Sequence, residues 1–359
     1  RLFHRQDGAK RMNQTDLKSM NVNELEGVAA ALGQPAFRGR QLFGWLQDTR
    51  MHSISDMHTL PKTFRERLEE AYPLPVAQMA DRRESSDGSA IKYLCSFHDG
   101  TIIETVAMRY KYGWSVCLST QAGGRMGCRF CVSAQGGLLR NLTAGEMISQ
   151  LQVVGEDLAD RDERPARIVL MGSGEPLDNI EAVIRFLHLV HDPKGWNMGY
   201  RHITLSTCGL VDGIERLAGE GLPVTLAISL HAPEDGLRRW LMPGAARHGV
   251  RQVIDAAGAY QDKTGRRVSY EYAMIRDVND RVDQAKALGE LLAGQGSHVN
   301  LIPLNPGNTH ELEPSRPETV RRFQETLTGM GINATLRRSL GEDIQGACGQ
   351  LRHQYMQEQ

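Results

Sequence analysis

The sequence predicts an α/β fold in which parallel strands alternate with crossover helices. Six short apolar runs rich in β-branched residues follow one another, from WSVCLST through RIVLMG, HITLST, PVTLAISL and RVSYEYAMI to VNLIPL. Segments of helical pattern such as AGEMISQLQVVGEDLA and NIEAVIRFLHLVH separate them. This alternation predicts a parallel sheet. Six units over about 190 residues fit an incomplete β/α barrel, and a doubly wound sheet is the competing topology.

The residues before the first of these runs predict two further regions. Residues from about 15 to 75 have the pattern of short helices, with NVNELEGVAAALG ending at Gly33 and LPKTFRERLEEAY beginning near Pro61. Between about 78 and 112, DGTIIETVAM and the Asp-Gly pairs predict an antiparallel β-hairpin layer. We therefore expect a small helical N-terminal domain (1–76), a hairpin extension (77–112) and a barrel domain (113–352).

The helix predicted in FRGRQLFGWLQ has two interpretations. It places aromatic residues among Arg38 and Arg40, which is typical of a surface that contacts nucleic acid. The simpler interpretation is an amphipathic helix with solvated arginines. The formal net charge of the chain is −1, so an RNA partner would need a local basic surface.

Composition and cysteine usage indicate the class of protein. The 359 residues suffice for one large domain and a smaller one, and no apolar run approaches the ~18 residues of a membrane-spanning helix. No secretory signal is recognisable at the start of the sequence. Six cysteines in so long a chain are too few for a secreted disulfide scaffold. We therefore expect a cytoplasmic protein without a membrane partner, with metal or redox chemistry.

A C-x-x-C pair, Cys128 and Cys131, follows the first predicted barrel strand in QAGGRMGCRFC. Thiolates at this spacing in a glycine-rich loop can bind one metal centre. Zinc needs about four ligands, and the sequence has no second C-x-x-C or H-x-x-x-H pair to supply them. Gly124 stands four residues before Cys128, where a third thiolate would complete C-x-x-x-C-x-x-C. An iron–sulfur site, a zinc half-site and a plain pair of loop cysteines all remain open.

Other candidate residues each have a structural alternative. MGSGEP (171–176) follows the second strand and could admit a ligand to the backbone, or could be only a tight turn. His231 in SLHAP could be a ligand, a base or a core histidine. Glu104 in IIETV could be a functional carboxylate or an outward-facing strand residue. Cys348 in ACGQL could be a reactive thiol or a buried cysteine.

Taken together, these stretches resemble the RlmN/Cfr family of radical S-adenosylmethionine RNA methyltransferases. CLSTQAGGRMGCRFCVSAQGGLLRNLT is similar to the cluster loop of that family. MGSGEPL, LSTCGLV, AISLHAP, EYAMIRDVND, VNLIPLNP and DIQGACGQL are similar to further family blocks in the same order. The similarity extends from about residue 20 to 352 and implies a partial (β/α)6 radical SAM barrel behind a small helical N-terminal domain.

The resemblance implies a role for each matching residue. Cys128 and Cys131 would bind two irons of a 4Fe-4S cluster. Cys348 would carry the methyl group, Cys117 would resolve the protein–RNA adduct, and Glu104 would be a general base. The S-adenosylmethionine site would comprise Gly174, Glu175, Ser206, Ser229, Leu230, His231 and Asn305.

The implied reaction is methylation of C2 of an adenosine in 23S rRNA, with tRNA as a further substrate. One S-adenosylmethionine methylates Cys348. A second is cleaved reductively at the cluster, and its radical takes hydrogen from that methyl group. The methylene radical adds to adenine, and a Cys117–Cys348 disulfide releases the product. A flavodoxin-type reductase would supply electrons, and we expect a monomer.

Gly124 departs from the family pattern, because the first cluster cysteine of the family falls on this position. Two alternatives to C2 methylation stay open, and Gly124 motivates the second of them. One is C8 methylation of the same adenosine, as in Cfr, although Pro176 is more typical of the C2 branch. The other is an RNA-binding homologue without a cluster.

Overall fold

Three α-helices form the N-terminal region of the computed structural model, which describes residues 15–131, 136–304, 312–337 and 344. They are α1 (Val22–Ala31), α2 (Phe37–Gln47) and α3 (Lys62–Ala71), as the sequence predicts. Helix α1 begins with a capping box, since Glu24 N donates to Asn21 Oδ1 at 2.9 Å and Asn21 N donates to Glu24 Oε2 at 2.8 Å.

Helix α2 is amphipathic. Leu42, Phe43 and Leu46 are fully buried on one side of it. On the other side, Arg40 pairs with Glu26, and Arg38 donates to Gln41 and to the Thr59 carbonyl. The amphipathic interpretation is therefore confirmed, and RNA contact by the exposed side stays a prediction.

The strands of the described chain are β1 (Gln78–Glu84), β2 (Ala90–Ser96), β3 (Ile102–Tyr110), β4 (Gly113–Cys117), β5 (Gln121–Gly123), β6 (Leu138–Asn141), β7 (Pro165–Leu170), β8 (Ile203–Thr207), β9 (Thr225–Ser229), β10 (Ser269–Met274), β11 (His298–Pro303) and β12 (Asn333–Leu336). Ten of them form one sheet in the order β1-β2-β3-β4-β7-β8-β9-β10-β11-β12. The first four are antiparallel neighbours, and β4 with β7 to β12 are parallel. Strands β5 and β6 pair separately in the loop after β4.

The strand order decides between the two predicted topologies. In a doubly wound sheet the order reverses at a switch point. Here each parallel strand lies beside the next one in sequence, without reversal. The sheet is therefore an open β/α barrel. The antiparallel strands β1 to β3 continue this sheet beyond β4 and do not form a separate layer.

Helices lie between the parallel strands and cover the sheet. Their apolar faces contribute fully buried residues to the main core, such as Ile148 and Leu151 from the helix after β6, and Phe186 and Leu187 from the next one. None of the helices in the described ranges is long and apolar enough to cross a membrane. The helices are α4 (Ala144–Ala159), α5 (Ile180–His191), α6 (Val211–Glu220), α7 (Asp235–Leu241), α8 (Val250–Thr264), α9 (Val282–Leu292) and α10 (Pro317–Gly329).

A buried lysine attaches the N-terminal region to α4. Lys18 is 1% exposed, and its Nζ donates to Ser149 Oγ at 3.0 Å and to Gln152 Oε1 at 2.6 Å. Gln152 Nε2 in turn donates to the Leu46 carbonyl at the end of α2. Burial lowers the pKa of Lys18 to about 7, against the opposing effect of the Asp16 charge. This contact therefore depends on a lysine that is easily deprotonated.

Lys18→Met tests this contact through its pH dependence. Because the pKa of Lys18 is about 7 in the fold and 10.5 in the unfolded chain, the unfolded chain binds one more proton between these values. The contribution of Lys18 to stability is therefore lowest below pH 7 and rises above it, by at most about 1.4 kcal/mol per pH unit. In chemical denaturation, we expect the unfolding free energy of the unaltered protein to rise relative to that of Lys18→Met between neutral pH and pH 9.

Lys62→Met is the matched control, because the Lys62 side chain is 82% exposed on α3. Its effect on the unfolding free energy should stay the same across this pH range. A pH-independent difference for Lys18→Met would contradict the lowered pKa of Lys18.

Candidate functional site

Polar residues lie close together at the carboxyl ends of two neighbouring parallel strands. Ser206 on β8 and Ser229 on β9 bring their hydroxyl oxygens within 3.4 Å of each other. Leu230 and His231 follow β9 directly and are buried. This edge of the barrel is where α/β proteins place their sites.

The turn after β7 packs tightly on the segment that follows β4. Gly174 has φ +101°, and a Cβ there would lie 2.5 Å from Gln121 Cβ and 2.8 Å from Gln121 N. Gln121 is fully buried, and its Oε1 accepts a hydrogen bond from Glu175 N at 2.8 Å. Both the backbone angle and the lack of space therefore require glycine at position 174.

Glu175 joins this turn to the end of β8. It is 2% exposed, and its Oε1 accepts from Leu177 N at 2.9 Å while its Oε2 accepts from Cys208 N at 2.7 Å. Burial raises the pKa of its carboxyl group, and these hydrogen bonds oppose that rise. The carboxylate thus stabilises the turn by accepting hydrogen bonds from two backbone N–H groups.

His231 is a buried neutral imidazole. Its Nδ1 accepts a hydrogen bond from Ala273 N at 2.9 Å, which leaves the proton on Nε2. Burial, and then the charge of Arg238, lowers its pKa to about 3. Its ring packs edge-on against Phe130 of the cysteine loop, with 4.7 Å between the ring centroids. His231 can therefore donate from Nε2, while its Nδ1 is occupied.

The two loop cysteines lie in a tight turn, and a third cysteine, Cys208, packs near Cys128. Cys131 N donates to the Cys128 carbonyl at 3.1 Å, and both residues are partly buried. Cys208, just after β8, packs against the same small buried core as Cys128. Interaction between the two thiols lowers the pKa of Cys128 and, together with burial, raises that of Cys208.

Cys208 is a residue that the sequence does not single out. It stands in LSTCGLV, directly after a barrel strand, and that position is the signal that could have identified it. Its contact with Cys128 joins two distant parts of the chain, and no local pattern predicts such a contact.

Position 124 has room for a side chain. A Cβ on Gly124 would lie 3.7 Å from Gly174 Cα and 3.8 Å from Gly174 N, which are ordinary contacts. The geometry of the loop therefore does not require glycine here. In the described part of the chain, no three His, Cys, Asp or Glu side chains are grouped to hold a single metal ion.

A second group of candidate residues lies on β3 and β4. Glu104 on β3 is 2% exposed, so the outward-facing alternative is wrong. Its Oε2 lies 3.8 Å from Nζ of Lys92, a fully buried residue that the sequence does not single out. Cys117, at the end of β4, is also buried. Burial, with a smaller effect of the Glu104 charge, raises the pKa of Cys117 to about 11.

Two predicted site residues, Asn305 and Cys348, lie outside the described residues. The structure therefore brings together Gly174, Glu175 and the cysteine loop, and separately Ser206 with Ser229. It also brings Glu104 close to Cys117.

The chain is similar to known proteins over nearly its whole length. The Radical SAM superfamily profile matches residues 118–288, and that of the ribosomal RNA large subunit methyltransferase N-terminal domain matches residues 15–73. A protein of Alkaliphilus metalliredigens named "Probable dual-specificity RNA methyltransferase RlmN" is 45% identical over 97% of this chain and 98% of that protein. The protein of this name from Symbiobacterium thermophilum is 47% identical over 94% and 91% of the two chains. The crystal structure of a radical SAM methyltransferase from Sphaerobacter thermophilus has a TM-score of 0.89 and 42% identity, covering 94% of this chain and 99% of that one.

Gly174→Ala should destabilise the protein, because the added methyl group would collide with Gln121 and occupy a left-handed backbone position. Strain of this kind costs about 1–3 kcal/mol. We expect a lower midpoint of thermal unfolding. Gly219→Ala on α6 is the control, since its Cβ would meet nothing within 4 Å. It should raise stability by up to about 1 kcal/mol. Equal effects of the two changes would contradict the tight packing of the turn.

Proposed function

This chain belongs to the RlmN family of radical S-adenosylmethionine RNA methyltransferases, and we propose that it methylates C2 of adenosine 2503 in 23S rRNA and of adenosine 37 in tRNA. The observation that carries this proposal is the buried group of Glu104, Lys92 and Cys117 at the edge of the barrel. The names of the relatives, which describe dual-specificity RNA methyltransferases, support two RNA substrates.

The family uses a 4Fe-4S cluster and S-adenosylmethionine. When bound, the cluster supplies the electron that cleaves S-adenosylmethionine. Cys128 and Cys131 suit this group because they are adjacent, partly buried thiols, one of them with a lowered pKa. Position 124 has space for a third ligand but no thiol. The residues present therefore fit the cluster at two of the three family positions.

The strand ends supply groups for S-adenosylmethionine. Ser206 and Ser229 offer hydroxyl groups, and we assign Gly174 to the site on its match to the family motif. The Nε2–H of His231 is a further donor. We assign Glu175, Leu230 and Asn305 to the same site on their match to the family motifs.

Glu104, Lys92 and Cys117 suit the proton transfers of the reaction. Glu104 can accept a proton as a carboxylate, and the buried Lys92 balances its charge. Cys117 is a thiol at neutral pH because its pKa is raised to about 11, so it needs a base before it can act as a nucleophile. We propose that Glu104 is this base, that Cys348 carries the methyl group, and that a Cys117–Cys348 disulfide forms on product release.

The partners of the reaction follow from the same proposal. The exposed side of α2, with Arg38 over the Phe37 ring at 4.9 Å, offers a cationic and aromatic surface for folded RNA. A flavodoxin-type reductase would supply the electrons to a cytoplasmic, monomeric enzyme. Pro176, at the end of the GSGEP turn, supports C2 over C8 as the methylated position.

Nucleoside mass spectrometry of 23S rRNA and tRNA tests the proposal. RNA from cells that carry the gene should contain 2-methyladenosine, and RNA from cells that lack it should not. Equal 2-methyladenosine in both would contradict the proposal, and 8-methyladenosine in its place would assign the C8 reaction. If both the unaltered protein and a Gly124→Cys variant that holds its cluster bind RNA and form neither product, the chain is an RNA-binding protein.

Glu104→Gln should lower the yield of methylated adenosine about 100-fold or more, because it removes the proposed base. Glu69→Gln, on the exposed surface of α3, is the matched control and should leave the yield unchanged. Since Glu104→Gln removes the carboxylate that lies 3.8 Å from the buried Lys92 Nζ, Lys92→Met/Glu104→Gln should be measured beside it, with thermal unfolding of both. Normal yield in a folded Glu104→Gln protein would exclude Glu104 as the base.

A further inference from the structure

Four arginines line a cavity at the carboxyl edge of the barrel. The cavity has a volume of about 380 Å³ and lies between the loop after β10 and the first turns of α10. The loop contributes Arg276 and Arg281, and the start of α10 contributes Arg316 and Arg322. Since the formal net charge of the whole chain is −1, this local concentration of positive charge is the kind of surface that an anionic partner needs.

Hydrogen bonds join the two segments that carry these arginines. Arg276 N donates to the Glu313 carbonyl at 2.9 Å, and Ser315 N donates to the Met274 carbonyl at 3.3 Å. Ser315 Oγ also donates to Asp280 Oδ2 at 2.7 Å. The arginine cluster is therefore held together by the fold itself.

The two arginines of α10 carry charges that the described fold does not neutralise. Among the described residues, Arg316 and Arg322 have no carboxylate partner, and both are exposed. Arg316 directly precedes α10, and no side chain caps the N-terminal amides of this helix. An anion from solution can therefore pair with both guanidinium groups.

The two arginines of the loop are in exposed ion pairs. Arg276 pairs with Glu313 and Arg281 with Asp283, and these two carboxylates are 65% and 68% exposed. Ion pairs at such a surface contribute little to stability, because water and salt screen them. A phosphate group can therefore replace either carboxylate at small cost.

The carboxylates in the lining of the cavity are fewer than the arginines. Asp280 is 6% exposed, and its Oδ1 accepts a hydrogen bond from Asp277 N at 3.0 Å while its Oδ2 accepts the bond from Ser315. Both of its oxygens are thus occupied by the surrounding loops. With Asp277 as the second acidic residue, the lining has four guanidinium groups and two carboxylates, which leaves an excess of positive charge.

Asn279 joins the loop of the cavity to the candidate S-adenosylmethionine site. Asn279 is fully buried, and its Nδ2 donates to the His231 carbonyl at 2.8 Å and to the Ala273 carbonyl at 2.6 Å. Its Oδ1 accepts from Ile275 N at 2.8 Å. The loop that carries two of the arginines is therefore fixed to the segment after β9. An anion in the cavity lies at the same edge of the barrel as the candidate site.

We propose that this arginine cluster binds a phosphate group of the RNA backbone and thereby positions the RNA for methylation. A guanidinium group donates two parallel hydrogen bonds to phosphate oxygens, and such contacts hold RNA independently of its sequence. The arginines of α10 are exposed, which suits a long polyanion that lies across the surface better than a small enclosed anion. The inference rests on the proposed RNA methyltransferase activity, and free phosphate is the competing ligand of the same chemistry.

Binding of a tRNA transcript to the full chain, measured over a range of salt concentrations, tests the proposal. Arg316→Gln/Arg322→Gln should raise the dissociation constant about tenfold or more at low salt. It should also reduce the slope of log affinity against log salt concentration by about 1–2, because two phosphate contacts are lost. Arg316→Lys/Arg322→Lys keeps both charges and should keep most of the slope. Should the double Gln change unfold the protein, Arg322→Gln alone, with a slope change of about 1, decides.

Arg201→Gln/Arg267→Gln is the matched control, because it removes the same charge from two exposed arginines outside the cavity. These residues precede β8 and β10, so they lie at the opposite edge of the sheet. This variant should bind the transcript with nearly the affinity and salt slope of the unaltered protein. Thermal unfolding of each variant checks that it is folded.

Three results would overturn the proposal. The first is unchanged RNA affinity and salt slope in folded Arg316→Gln/Arg322→Gln. The second is an equal loss of affinity in the control, which would reflect total charge alone. The third is loss of inorganic phosphate binding with unchanged RNA affinity, which would make the cavity a site for a free anion. If the cavity variant loses RNA affinity but the unaltered protein forms no 2-methyladenosine, the proposed function fails and the RNA contact stands.

Discussion

A backbone seam between the segments after β4 and after β7 positions the cysteine loop and the turn that carries Gly174 and Glu175. Gly172 N donates to the Leu118 carbonyl at 3.0 Å, and Thr120 N and Gln121 N both donate to the Ser173 carbonyl. A Cβ on Gly172 would lie 2.6 Å from the Leu118 oxygen, so only glycine permits this approach. One side of the seam leads into the cysteine loop. The other leads into Glu175 and from there to Cys208. The seam therefore fixes the loop and the barrel edge as one unit.

Helix α4 connects this seam both to β3 and to the N-terminal region. Gln150 accepts from Ser119 N at 2.9 Å and donates to the Ser119 carbonyl at 2.9 Å, and it accepts from Thr105 on β3. Ser119 Oγ in turn donates to the Glu104 carbonyl at 2.8 Å. Beside Gln150 in the sequence, Ser149 and Gln152 accept hydrogen bonds from Lys18 of the N-terminal region. A buried amide thus aligns the base candidate with the cysteine loop, and the same helix carries the N-terminal helices. Rigid buried networks of this kind specify one arrangement of a site.

The sequence predicts the elements of the fold well because parallel strands are buried on both faces and leave continuous apolar runs. It leaves barrel and doubly wound topologies open, since strand order depends on contacts between distant segments. The strand-end residues Ser206 and Ser229 were predictable, because carboxyl ends of parallel strands share one edge. Lys92 was not, because its partner Glu104 lies on the neighbouring strand and a lone Lys in an apolar run has no local signature. Cys208 stands directly after a strand, and that position could have identified it, but the residue it lies near, Cys128, is distant in the sequence.

The seam also explains how this chain can lack a cysteine at 124 and keep its loop. Gly124 N donates to the Gly137 carbonyl at 3.0 Å, so main-chain bonds hold the loop at this point. Gln121 fixes its beginning through Asn141 and Asp178, at 2.8 and 2.7 Å. None of these contacts uses a side chain at 124. A ligand side chain on a loop held by its backbone can therefore change without cost to the fold, whereas Gly174, whose conformation the seam requires, cannot. A side chain at position 124 would therefore change the chemistry of the loop and leave its fold intact.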